Sequence, residues 1–146
     1  ARGDAAHARG MALKWSAAML LIGAVVVGLG WWLAPWGVSV LFERGAFTAQ
    51  DTVLVAEVLR WGLLQIPFYF GVLILVQLLA SQNRYGWMAT IAVVNFLIKA
   101  WMNTVLAPRM GVAGIMLATS IMYAMSYVCY LGLALKGLPD TARRTE

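Results

Sequence analysis

Acidic residues and cysteine are both scarce in this sequence: six Asp and Glu, one His and one Cys stand among 146 residues. A lone Cys129 excludes an intramolecular disulfide, a CxxC metal site and a redox pair. The sequence has no paired carboxylates, no Ser/His/Asp or Cys/His set, no H-E-x-x-H and no phosphate-binding glycine loop. The residues for hydrolytic or metal chemistry are therefore missing, and neither an enzyme nor a cofactor is expected. Charge is also low, at 12%, against roughly a quarter in soluble domains. With 62% hydrophobic residues and a mean hydropathy of +0.79, an ordinary soluble domain is excluded. The pI near 9.8 does not indicate nucleic acid, because Lys and Arg stand singly at the ends of apolar runs instead of forming a patch.

What is present is four long apolar runs, at about 15–33, 59–80, 87–106 and 112–135. Each approaches the roughly 20 residues that a helix needs to cross a bilayer core of about 30 Å. Helices are required, since hydrocarbon cannot hydrate free backbone groups and the runs are too uniformly apolar for barrel strands. The expected fold is therefore all-α, a polytopic transmembrane helical bundle of four spans. Basic residues set its orientation. Arg2, Arg9, Lys14, Arg84, Lys136, Arg143 and Arg144 lie on one side and outweigh Arg44, Arg60 and Arg109 on the other. This places a basic segment 1–14 and a tail 136–146 in the cytoplasm, flanking the membrane part 15–135. The opening run from Ala1 to Arg9 lacks the layout of a signal peptide, so the chain reads as a piece of a longer protein. Short linkers between the second and third spans, and between the third and fourth, predict antiparallel neighbours.

The connector after the first span carries local signals. Pro35 should end that span, and a short interfacial helix near 36–43 should stop at Gly45, a residue suited to the left-handed turn after a helix end. Thr48 and Asp51 have capping-box spacing, which starts the next helix well before the membrane. Within that helix Pro67 should act as a kink or hinge.

Polar residues inside the spans are the functional pointers, because a charge there is costly unless paired or hydrated. Lys99 lies about 18 Å along its helix from Trp87, past the middle of the third span. Asn95 and Asn103, four residues to either side, share its face and form a polar stripe that could take an anion such as a phosphate. Packing alone, or extension of Lys99 to the interface, is the competing reading. Glu57 and Arg60 are spaced to pair, and with Arg44 beside Glu43 they are candidates for a structural pair or an outer gate. Gln65 and Gln77 are expected to bond between helices.

The segment Leu41-Phe42-Glu43-Arg44-Gly45-Ala46-Phe47-Thr48-Ala49-Gln50-Asp51-Thr52 resembles the LFERGAFTAxDT segment of the MurJ/MviN family, lipid II flippases of the multidrug/oligosaccharidyl-lipid/polysaccharide exporter superfamily. Pro67-Phe68-Tyr69, the basic turn Ser81 to Tyr85, Asn95 and Asn103, and Gly111-Val112-Ala113-Gly114-Ile115 follow the order of that family's later helices. The resemblance runs from about Lys14 to Leu135. It implies helices nine to twelve of about fourteen, in the second of two pseudo-symmetric bundles. It also implies transport of a polyprenyl-pyrophosphate-linked saccharide from the inner to the outer leaflet by alternating access, in the bacterial cytoplasmic membrane. The partners implied are membrane lipids, the lipid-linked saccharide and the remaining helices of the same transporter. The turn from Ser81 to Trp87 departs from the D-T-x-T-P common in lipid II flippases, as a branch handling another polyprenyl-linked glycan would. Two other classes fit four apolar spans: a drug or solute antiporter of the same superfamily, which needs an intramembrane carboxylate, and a non-transporting four-helix scaffold.

Overall fold

The structure, a computed structural model, describes residues 2–42 and 47–136. They form five helices in chain order: α1 (Arg2–Phe42), α2 (Ala49–Leu63), α3 (Gln65–Ser81), α4 (Tyr85–Met110) and α5 (Val112–Lys136). No strand occurs among the described residues. Because α2 and α3 follow each other across a single break, the helices long and apolar enough to cross a membrane number four among the described residues: Ala6–Phe42, Ala49–Ser81, Tyr85–Met110 and Val112–Lys136. Large apolar side chains such as Val25, Trp32, Phe96, Leu97 and Trp101 are exposed on their outer faces, as lipid-facing helices require.

Two sequence expectations change here. Pro35 does not end the first helix, and 36–42 is not a separate interfacial helix: α1 stays helical through Pro35 to Phe42, while residue 43 and the expected stop at Gly45 lie outside the described residues. Proline fixes a helical φ and removes one donor, so the helix survives where another group supplies the lost bond. The second change concerns neighbours. α4 packs on α5 and hardly meets α3, while α3 lies against α1 and α5. A short linker limits how far apart two helix ends sit and leaves open which helix packs alongside. Here α5 separates α3 from α4, and its buried Ala113, Gly114, Ala118, Ser120 and Ser126 let neighbours come close.

The α1 seam against α2 and α3 is antiparallel and built on small residues. Ser16 reaches Gly71, Gly23 lies on Pro67, Gly30 lies under Leu63, and Ala34 and Val38 cluster with Ala56. The first three of these α1 residues are seven apart, the heptad spacing that keeps one stripe facing its partner. Pro67 cannot donate to the Leu63 carbonyl, and the helix is interrupted at Leu64, three residues before the proline. A second core joins Val72, Leu75, Leu78 and Leu79 of α3 to Ile91 of α4 and to Tyr130 and Ala134 of α5.

Caps and turns follow local chemistry. Thr48 is extended, with φ −96° and ψ 167°; its hydroxyl accepts from the Asp51 amide, and its amide donates to Asp51 Oδ2 at 2.8 Å. This is the capping box expected from the sequence. Between α4 and α5, Gly111 takes φ +60°, a region that favours glycine.

Candidate functional site

The polar stripe of α4 is divided by its surroundings. Asn95 Nδ2 donates to Ser126 Oγ of α5 at 2.6 Å, and Ser126, buried at 3% exposure, donates to the Met122 carbonyl at 2.8 Å. Asn95 is thereby committed to holding α4 on α5. Lys99, one turn on, is half-buried and has no hydrogen bond or ion pair to any described residue. Asn103, one further turn on, keeps a buried Oδ1 without a donor. The three candidates thus share a helix face, but only Asn95 is joined to another residue. A groove of about 320 Å³ between α4 and α5 is lined by Asn95 with mainly apolar neighbours, among them Trp87, Val94, Ile98 and Val128. Lys99 and Asn103 do not line it.

The expected Glu57–Arg60 ion pair is absent among the described residues. Glu57 is exposed, and Arg60 turns to α1, where its Nε donates to the Trp31 carbonyl at 3.0 Å. Its guanidinium carbon stands 5.8 Å from the Trp31 ring centroid, and Trp31 meets Trp61 edge to face at 5.7 Å. A backbone carbonyl freed from its helical donor attracts the cation more effectively than a carboxylate pointing into solvent. Arg44, the third member of that group, and its neighbour Glu43 lie outside the described residues, as does the tail 137–146.

Gln65 and Gln77 make no interhelical bond among the described residues, and Gln77 is exposed. Serines take that part instead. Ser16, fully buried, donates to the Gly71 carbonyl at 3.1 Å with Tyr127 Oη at 3.5 Å, so α1, α3 and α5 meet at one point. The Ser120 hydroxyl lies 2.8 Å from the Trp61 carbonyl beside the α2–α3 break and 3.1 Å from the Met116 carbonyl of its own helix. Ser16 had a signal in the sequence, standing seven residues before Gly23 in the stripe that Gly30 continues. Ser126 had none, since a lone serine in an apolar run looks the same on every helix face. Phe68 and Tyr69, just after Pro67, meet Tyr127 and Tyr123 of α5.

No group of three or more metal-ligating side chains occurs among the described residues. No curated protein and no solved structure matches the chain. The sequence model of one family, described as lipid II flippase MurJ, matches residues 4–142. Because that match takes in all four membrane-crossing helices and nearly every residue of the chain, the protein belongs to the MurJ lipid II flippase family.

Proposed function

We propose that this chain is part of a flippase that moves a polyprenyl-pyrophosphate-linked saccharide, lipid II or a related glycan, across the bacterial cytoplasmic membrane by alternating access. Lys99 would contact the anionic part of that substrate. The observation that carries the reading is the state of Lys99: a cation well inside a span, half-buried, with no partner among the described residues. A charge kept at such depth is costly unless it faces water or a counter-charge, and a phosphate supplies one. Asn103, one turn further on, buries an Oδ1 without a donor, and a hydroxyl or amide of a bound sugar would satisfy it once movement of the helices uncovers it. Asn95 is a positioning group in this scheme, because its amide is spent on Ser126.

Further helices of the same transporter would enclose the path, and both ends of the present chain would lie in the cytoplasm. Bending just before Pro67, at Leu64 where α2 and α3 part, would let one half of the bundle rock against the other. The antiporter reading lacks its coupling group here: Asp51 and Glu57 sit in α2, before its membrane part, and no carboxylate occurs in α3, α4 or α5. The test is Lys99→Ala in the intact protein, followed by transport of the lipid-linked saccharide in cells. Transport should be lost at normal membrane abundance, while Lys99→Arg should retain part of it. Unchanged transport in Lys99→Ala would sink the assignment.

A further inference from the structure

Pro35 has no amide hydrogen, so the Trp31 carbonyl one turn earlier loses its intrahelical donor. α1 still runs on as helix for two turns beyond the proline. The replacement comes from another helix, as Arg60 Nε lies 3.0 Å from the Trp31 oxygen and the guanidinium sits against the Trp31 ring. Inside a membrane such a carbonyl must find a donor, and a neighbouring helix is the usual source. Past the proline, Val38 of α1 packs on Ala56 of α2 with Phe47 beside them, and the Phe42 ring stands 6.1 Å from the Phe47 ring. To these packing contacts the Arg60 bond adds a directed one, placed at the carbonyl that the proline leaves open.

We propose that Arg60 is a positioning residue, a latch whose Nε stands in for the missing Pro35 amide and holds residues 35–42 of α1 onto α2. When the bond is made, α1 stays straight enough for Val38 to remain covered at 3% exposure. When it breaks, residues 35–42 lose that hold beside the proline, and Val38 is uncovered more often. That this movement opens the outer side of a transport path rests on the alternating-access reading above; the latch itself does not.

The test uses the intact protein in membranes, with Cys129→Ser and Val38→Cys, and follows the rate at which a maleimide labels the buried thiol. Arg60→Met removes the donor while keeping an apolar stem, and labelling should rise about tenfold, as expected for loss of one charge-assisted bond. Pro35→Ala returns an amide to the Trp31 carbonyl, so in Pro35→Ala/Arg60→Met the thiol should again be protected. An equal rise in both backgrounds, or none in either, overturns the latch. If Arg60→Met alone fails to accumulate, the double variant must accumulate, and its absence from the membrane overturns the proposal equally. Transport is measured on the same set. If labelling obeys this coupling while transport is indifferent to it, the latch stands and the alternating-access role falls.

Discussion

Gly23→Ala tests the α1 seam at its tightest point. A Cβ there would sit 2.5 Å from Pro67 Cα and 3.0 Å from Pro67 N and Cβ. Carbon atoms pack best at about 3.5–4.0 Å, so the two helices must part by about 1 Å. No rotamer change can relieve this, because the closest atoms are backbone and a pyrrolidine ring. Overpacking of this kind costs about 1–3 kcal/mol. Alanine also gains up to about 1 kcal/mol over glycine in helix propensity, which would blur the result if Gly23 were changed alone. Gly28→Ala removes that ambiguity: it lies on the same helix, and its Cβ would meet nothing within 4 Å. Propensity cancels in the comparison, leaving about 1–3 kcal/mol of difference from packing alone. Thermal unfolding of the two purified variants in the same detergent measures it, with Gly28→Ala at or above the parent and Gly23→Ala below it. Equal midpoints would refute the close approach of α1 to Pro67.

The other expectations follow the same geometry. Gly71→Ala places a Cβ 2.5 Å from Tyr127 Cε2 and should lower thermal stability, whereas Gly71→Ala with Tyr127→Leu should recover most of the loss because the obstructing ring is gone. Thr48→Ala breaks the capping box, for a loss of about 1 kcal/mol, and should speed hydrogen exchange at the Asp51 and Thr52 amides, whose partners are Thr48 Oγ1 and the Thr48 carbonyl. Lys99→Ala should abolish transport without lowering abundance, and Arg60→Met should deprotect a cysteine at position 38 unless Pro35 is replaced as well.

The sequence made four spans legible because length and apolarity alone decide them, and the Thr48–Asp51 cap because its spacing is a local pattern. A break near Pro67 was readable for the same local reason. Pro35 was misleading, since whether a proline ends a helix depends on a donor from elsewhere in the fold, here Arg60, which lies on another helix. The packing order was hidden for a related reason. When every face of a helix is apolar, the pattern carries little information about which face meets which neighbour, and α5 between α3 and α4 follows from small residues spread along it. Of the candidate site, the stripe Asn95, Lys99 and Asn103 was visible as spacing. Its division into one bonded residue and two unbonded ones depends on Ser126, whose position on α5 only the packing fixes.

Several polar groups of this bundle are used to hold one helix on another. Ser16 answers Gly71, Ser120 answers Trp61, Asn95 answers Ser126, and Arg60 answers the carbonyl that Pro35 leaves open. Each of these groups sits in an apolar setting, and each has an identifiable partner across a helix contact. α4 carries two polar groups in consecutive turns that lack such a partner. Lys99 has no partner among the described residues, and Asn103 buries an oxygen without a donor. Leaving such an acceptor unmade costs about 1–3 kcal/mol, a cost that a ligand carrying both an anion and a hydroxyl would remove. Replacing Asn103 by Leu separates the two origins of that cost. If the oxygen is only a packing defect, the variant should be at least as stable as the parent and transport normally. If it accepts from substrate, stability should rise while transport falls, and the opposed signs would assign this part of α4 to the transport path.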